Sequence, residues 1–164
     1  MTAARAAFVA AYGSVFEHSP WIAEAAWDAG PPPMPLTAES VHAALCAALA
    51  PASEARKLAL LRAHPDLAGK LAQAGRLTAE STSEQASAGL DRLTDTERAT
   101  FTGLNDAYTA KFGFPFIIAV KGLSKADILA AFQRRLGNDR ATELATALVQ
   151  VERIALLRLK DLLP

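Results

Sequence analysis

His64 is the side chain in this sequence best suited to move protons. It stands in the run RAHPDLAGK, residues 62–70, directly before Pro65. Proline crowds the residue before it out of the α-helical region, so we expect the histidine at a helix end or in a loop. Imidazole changes its charge near neutral pH and is a frequent general acid or base. The alternative is that the ring caps the negative end of the preceding helix.

A second polar stretch, STSEQASAGL at residues 81–90, begins 17 residues after His64. Ser81 and Glu84 have the spacing of a capping box, in which a hydroxyl and a carboxylate pair with N–H groups at a helix start. Gln85 offers both a donor and an acceptor to a ligand. A helix start also presents N–H groups to an anion. The spacing alone favours the structural role, although the same residues can serve both purposes.

Arg158 is the third candidate, because it lies on an apolar stripe of the last predicted helix. That stripe steps by three and four residues and should face inward; it comprises Leu144, Leu148, Val151, Ala155, Arg158 and Leu162. Arginine rarely lies on such a face without an anionic partner. The alternatives to a ligand are a salt bridge, for example to Asp66 or Glu84, and a side chain that reaches water at the helix end.

The remaining candidates favour structural roles. The three histidines are 22 or more residues apart, and we expect no metal site. Cys46 lies in the apolar run AALCAAL, which is typical of a small buried side chain rather than a nucleophile. His42 on the same helix is expected to be exposed or to cap, and His18 is expected to be structural. The sequence has no glycine-rich phosphate loop.

Helical spacing and abundant alanine predict an all-α fold. The expected architecture is a single compact domain over residues 1–164 with about eight helices, and not a simple four-helix bundle. Residues 3–16 should form the first helix and residues 139–162 the last. Residues 114–120, FPFIIAV, are the one strand-like run, which we interpret as an extended buried segment. Helix starts are predicted at Ser19-Pro20, Thr37, Ser53, Asp66, Ser81, Thr94 and Ser124, and ends at His64, Gly75, Gly113 and Gly137.

Composition narrows the class of protein. The 164 residues are 51% apolar, and 17 basic residues balance 17 acidic ones, which disfavours disorder and nucleic-acid binding. One cysteine indicates a reducing compartment. The N-terminus lacks the layout of a signal peptide, and no apolar run is long enough to span a membrane. We therefore expect a cytoplasmic protein without a membrane partner.

Six stretches resemble the family of 2-oxo-4-hydroxy-4-carboxy-5-ureidoimidazoline (OHCU) decarboxylases, which catalyse the last step from urate to (S)-allantoin. Each stretch is a weak match alone, but the six occur in the family's order over nearly the whole chain. They are HSPW (18–21), RAHPDLAGK (62–70), LTAESTSEQASAGL (77–90), LNDAYTAKFGFPFIIAVKG (104–122), RLGN (135–138) and RIALLRLKDL (153–162).

The resemblance implies an all-α homodimer that decarboxylates a small ureidoimidazoline without a metal or an organic cofactor. It implies that His64 is the catalytic acid/base, assisted by Glu84, and that Arg158 meets the anionic substrate. The other implied substrate-binding residues are Pro65, Ser81, Gln85 and the backbone of Phe116, Ile117, Ile118, Ala119 and Val120.

Three other functions are compatible with the sequence. The chain could be another lyase or hydrolase of a related ureide, which product analysis would separate from a decarboxylase. It could also be a non-catalytic helical binding module, or an interaction protein without a pocket. The combined presence of His64, Ser81, Glu84, Gln85 and Arg158 argues against the last two functions.

Overall fold

The computed structural model of the chain describes residues 2–69, 72 and 75–163. Within these ranges the regular secondary structure is helical and no β-strand is present, which confirms the predicted all-α class. Eight helices have defined bounds there. In chain order they are α1 (Ala3–Tyr12), α2 (Trp21–Ala29), α3 (Ala38–Leu49), α4 (Glu54–Ala63), α5 (Ala79–Ser87), α6 (Asp95–Phe112), α7 (Lys125–Leu136) and α8 (Arg140–Leu162).

Capping chemistry sets most of the helix boundaries. In each of four predicted caps the side-chain oxygen accepts a backbone N–H of the first turn, as the sequence indicates. These confirmed caps are Thr37, Ser53, Thr94 and Ser124. Gly113 closes α6 in the left-handed conformation, with φ 82°, where glycine avoids a steric penalty. The final helix is confirmed as well, and so is the burial of most of residues 114–120, which belong to no helix and which we call the extended segment.

Three predicted boundaries are wrong. The first helix ends at Tyr12 rather than at residue 16, and Gly13 is its C-cap residue, which donates the last N–H of the helical pattern to the carbonyl of Val9. The second begins at Trp21 with Pro20 at the cap position, one residue later than predicted. Helix α5 begins one turn before Ser81. The predicted helix between Asp66 and Gly75 includes Lys70, Leu71, Gln73 and Ala74, which lie outside the described residues.

The contact pattern divides the chain into two compact units. Unit one comprises Met1–Ala63 and Val151–Pro164 and contains α1 to α4 with the second part of α8. The apolar part of its interior is aliphatic apart from Phe8 and Phe16. The side chains of that interior with the lowest exposure include Phe16, Ile22, Val41, Leu45, Leu60, Leu61, Ala155 and Leu159.

Unit two comprises His64–Gln150 and has an aromatic interior. Tyr108 of α6 lies among phenylalanine rings in edge-on and tilted contacts. Phe116, from the extended segment, stacks on Phe132 of α7 with ring centroids 3.8 Å apart and an interplanar angle of 15°. Such aromatic pairs add to the apolar burial that holds a segment without regular hydrogen bonding. Residues 114–120 are therefore fixed by their side chains although they belong to no helix.

In the part of the chain that the structure describes, none of the helices has both the length and the apolar character needed to cross a bilayer. The prediction of one domain over residues 1–164 stays a prediction.

Candidate active site

His64 follows directly after the last residue of α4, as its position before Pro65 predicts. Its side chain is buried, with 8% of the residue exposed, whereas Pro65 is half-buried. We call residues 64–69 the His64 loop. A buried imidazole is shielded from bulk water, so its proton affinity depends on the groups that the fold places around it.

Gln85 connects helix α5 to the His64 loop. Its amide oxygen accepts the backbone N–H of Ala68 at 2.9 Å, and its amide nitrogen donates to the carbonyl of Asp66 at 3.3 Å. The structure thus brings one predicted substrate-binding residue to the loop that begins with His64 and Pro65. A glutamine amide has two N–H groups and two lone pairs, so these bonds leave it the capacity for one further contact of each kind.

Ser81 and Glu84 lie inside α5 and not at its start. The cap residue is Thr78, whose hydroxyl accepts the backbone N–H of Ser81 at 3.2 Å. The predicted capping box of Ser81 and Glu84 is therefore wrong. Positions three and four apart share one face of a helix, which places Ser81, Glu84 and Gln85 together. Ser81 and Gln85 are buried and Glu84 is half-buried.

The extended segment presents peptide groups between two fixed points. The carbonyl of Ile117 accepts from Arg135 Nη1 at 2.7 Å, and the N–H of Ala119 donates to Gln150 Oε1 at 2.9 Å. Between them Ile118 is half-buried, and its backbone N–H and C=O make no hydrogen bond to another group among the described residues. The side chains of Arg135 and Gln150 thus fix the backbone on either side of Ile118. The N–H and C=O of Ile118 can pair with an amide-rich ligand.

Sequence analysis missed the buried polar cluster behind this segment. Glu143 accepts from Arg135 Nε at 2.8 Å, from the Tyr108 hydroxyl and from Asn138 Nδ2 at 2.9 Å. Burial, and then the bond to Glu143, raise the pKa of Tyr108, so the phenol stays protonated and donates. The Arg135 guanidinium also packs over the Phe116 ring at 4.4 Å. The RLGN motif contains Arg135 and Asn138, but it did not identify their acidic partner.

Arg158 is buried in unit one, with 4% exposure, as its inward position predicts. Its Nη2 donates to Glu17 Oε1 at 2.9 Å and its Nη1 to the carbonyl of Val15 at 3.3 Å. Glu17 thus provides an acidic partner that the sequence-based alternatives, Asp66 and Glu84, did not include. The predicted stripe on α8 is only partly correct, because Leu162 is 54% exposed.

The other candidates have structural surroundings. His42 is half-buried, and its Nε2 lies 2.8 Å from the carbonyl of Glu152, so the expectation of an exposed or capping ring is wrong. That nitrogen must carry the proton to donate to a carbonyl. Cys46 Sγ lies 3.4 Å from the same nitrogen. Among the described residues no three His, Cys, Asp or Glu side chains form a group that could hold a metal ion.

Comparison with known proteins places the chain in a family. A family model described as OHCU decarboxylase matches residues 1–160. The 2-oxo-4-hydroxy-4-carboxy-5-ureidoimidazoline decarboxylase of Halalkalicoccus jeotgali is 44% identical over 155 residues, which cover 94% of this chain and 84% of that protein. The protein of the same name from Haloferax volcanii is 42% identical over 154 residues, covering 94% and 88%.

A solved structure agrees with these sequence matches. The crystal structure of an (S)-allantoin synthase superposes with a TM-score of 0.74 at 33% identity, over 97% of this chain and 50% of that chain. The similarity therefore includes the arrangement of the helices as well as the order of the sequence stretches.

We predict that Cys46 is unreactive in the folded protein. Burial, and then the nearby Glu152 carboxylate, raise the pKa of its thiol to about 12, so about one molecule in ten thousand carries the thiolate at pH 8. Reaction with Ellman's reagent at pH 8 should be at least about a hundredfold slower than after unfolding in urea. Comparable rates in the folded and unfolded protein would contradict the assignment of Cys46 as inert.

We predict that Glu17→Gln lowers the free energy of unfolding by about 3 to 5 kcal/mol, because it deprives the buried guanidinium of Arg158 of this carboxylate. Urea denaturation followed by circular dichroism measures the change. Glu24→Gln is the matched control, since Glu24 is a solvent-exposed ion-pair partner of Arg5 at 3.9 Å. Equal midpoints for the two variants would show that the Glu17 pair does not stabilise the fold.

Proposed function

The chain belongs to the OHCU decarboxylase family, and from that membership we propose that it decarboxylates 2-oxo-4-hydroxy-4-carboxy-5-ureidoimidazoline to (S)-allantoin, the last step from urate to allantoin. The structural observation that supports this function best is the junction between the His64 loop and α5. Gln85 forms hydrogen bonds with the backbone of Asp66 and of Ala68. The loop that begins with the buried His64 is therefore attached to the polar face of α5.

The substrate supplies much of the chemistry itself. It carries a carboxylate and a hydroxyl on one ring carbon, beside a C=N bond. When the bond to the carboxylate breaks, CO2 leaves and the electron pair moves toward that C=N bond, which acts as an internal electron sink. The reaction therefore needs no organic cofactor to hold the electrons. The protein must orient the carboxylate, move protons and deliver the final proton to one face of the ring.

We assign the proton transfers to His64, assisted by Glu84. In this proposal the imidazole accepts the proton of the substrate hydroxyl or of a ring nitrogen, and later supplies a proton to the carbon that becomes the stereocentre. A proton delivered by a fixed side chain reaches one face only, which accounts for a single enantiomer. The burial of His64 supports this role, because a general acid or base acts most effectively where water does not compete for the proton.

Substrate recognition is assigned to groups that pair with amides and anions. Ser81, Gln85 and Pro65 would contact the ring and its ureido group, and residues 116–120 would offer backbone edges. The backbone N–H and C=O of half-buried Ile118, which make no hydrogen bond among the described residues, support that assignment. Arg158 would orient an anionic group of the substrate. The negative charge of the bonded Glu17 carboxylate offsets the attraction of Arg158 for an anion, which favours orientation over a tight grip on the departing carboxylate.

We further propose that the protein acts as a homodimer in the cytoplasm and that residues 1–164 form one domain. The single cysteine, which disfavours a disulfide-rich extracellular protein, supports the compartment. The family resemblance implies the dimer, and the family match over residues 1–160 supports the domain assignment.

The reaction can be tested with substrate generated in place. Urate is converted by the two preceding enzymes, the protein is added, and optical rotation is followed. We expect faster formation of (S)-allantoin than in the slow background reaction, which yields a racemate, together with release of CO2. An unchanged trace would defeat the proposed function. Release of ammonia, or ring opening without CO2, would instead indicate a hydrolase.

His64→Asn should lower kcat by about a hundredfold to ten-thousandfold, because it removes the group that transfers protons. Initial rates in the same assay measure this effect, and circular dichroism verifies that the fold is retained. His18→Asn is the matched control, since His18 is exposed and has φ 47°, a conformation that asparagine tolerates. Near-native rates for a folded His64→Asn protein would remove His64 from the mechanism.

A further inference from the structure

We propose that Asn105 is a positioning residue that fixes the His64 loop and thereby orients the imidazole. Asn105 is buried on α6, with 3% exposure, and its Nδ2 donates to the carbonyl of Leu67 at 2.9 Å. Because the partner is a carbonyl, the nitrogen of the amide must face it, which settles the orientation of this side chain. The proposal rests on the assigned catalytic role of His64.

Asn105 acts together with Gln85 on consecutive residues of the loop. Gln85 bonds the carbonyl of Asp66 and the N–H of Ala68, while Asn105 bonds the carbonyl of Leu67 that lies between them. Two side chains from two helices therefore hold three successive residues. We call this pair of amides, Gln85 and Asn105, the amide clamp.

The loop has a conformation that needs such support. Ala68 has φ 52°, which side chains other than glycine adopt rarely and at an energetic cost. Gly69 is close to Asp66, since a Cβ added at Gly69 would lie 2.5 Å from the Cβ of Asp66. A backbone in such an unfavourable conformation persists only when several surrounding contacts hold it there. The bonds of the amide clamp provide that constraint at Ala68 and at the residue before it.

A cavity of about 310 Å³ borders the loop at Ala68, and Gln85, Thr82 and Arg98 also contribute to the lining of that cavity. The loop itself is buried, with Leu67 7% and Ala68 4% exposed, so close packing and the directional hydrogen bonds of the clamp hold it together. His64 precedes Leu67 by three residues and is joined to the clamped part through the rigid ring of Pro65.

The test is Asn105→Leu, which keeps a similar volume and removes the amide donor. We expect kcat to fall by about tenfold to a hundredfold while KM changes less than about threefold, because the variant displaces the acid/base without removing a substrate contact. The ring resonances of His64 in ¹H–¹³C spectra of the protein without substrate should shift or broaden. That second readout does not depend on the identity of the substrate.

Ile128→Val is the control for stability, because Ile128 is fully buried on α7 and the change removes one methylene without touching a hydrogen bond. It should lower the melting temperature and leave kcat and the His64 resonances unchanged. Unchanged resonances and kcat in a folded Asn105→Leu protein would overturn the proposal. If His64→Asn retains activity while Asn105→Leu still shifts the ring signals, the catalytic role of His64 fails and the clamp stands as a purely conformational device.

The unmodified protein offers a test that does not require a folded variant. The N–H of Ala68 donates to Gln85 inside the clamp, so its hydrogen exchange should be slowed toward the rate set by global unfolding. Exchange of this amide at the rate of an unstructured peptide would overturn the proposal, since the loop would then open without opening the fold.

Discussion

The proline after His64 is the constraint on which the candidate site depends. It ends α4 and leads the chain into a buried turn, where peptide groups can no longer pair within a helix. Buried peptide groups must find other partners, and amide side chains meet this need because each has both donors and acceptors. The irregular backbone that places the imidazole beyond the end of α4 thus also needs the amide side chains of Gln85 and Asn105 on neighbouring helices.

In each of the two units, a buried arginine holds an irregular stretch of backbone in place. Arg135 donates to the carbonyl of Ile117 and to Glu143, and Arg158 donates to the carbonyl of Val15 and to Glu17. Both carbonyls belong to residues outside the helices, where no backbone N–H four residues on is aligned to meet them. Each guanidinium therefore ties an irregular stretch of chain to a carboxylate. Removing one partner of such a pair is costly because it leaves a buried charge, even where the intact pair stabilises the fold no more than apolar packing would.

Interactions within a turn of helix made much of the fold predictable from the sequence. Contacts between residues far apart along the chain could not be predicted in this way. The fold class, four caps and the closing glycine of α6 follow from short patterns that act within a turn of helix. The position of His64 directly after α4 agrees with reasoning from Pro65, and the burial of Arg158 agrees with reasoning from helical spacing. Ser81 was misplaced because Thr78, three residues earlier, is an equally good cap that the spacing of Ser81 and Glu84 obscured.

The residues that sequence reasoning missed have partners far along the chain. Glu143 is fully buried, and its bond to Tyr108 spans 35 residues, although its partners Arg135 and Asn138 lie only 8 and 5 residues away. Asn105 likewise reaches a carbonyl 38 residues away. Their only local signal is a polar residue where helical spacing calls for an apolar one. The catalytic assignments came from family resemblance, because spacing alone could not relate His64 to α5.

The inert thiol of Cys46 makes the native chain a convenient scaffold for spectroscopic labels. It is the sole cysteine of the sequence, and its thiolate is scarce near neutral pH. A Thr102→Cys substitution at an exposed position of α6 would therefore introduce the faster of two thiols toward a maleimide. A fluorophore or spin label could then report on the helix that holds Asn105 without any need to replace the natural cysteine.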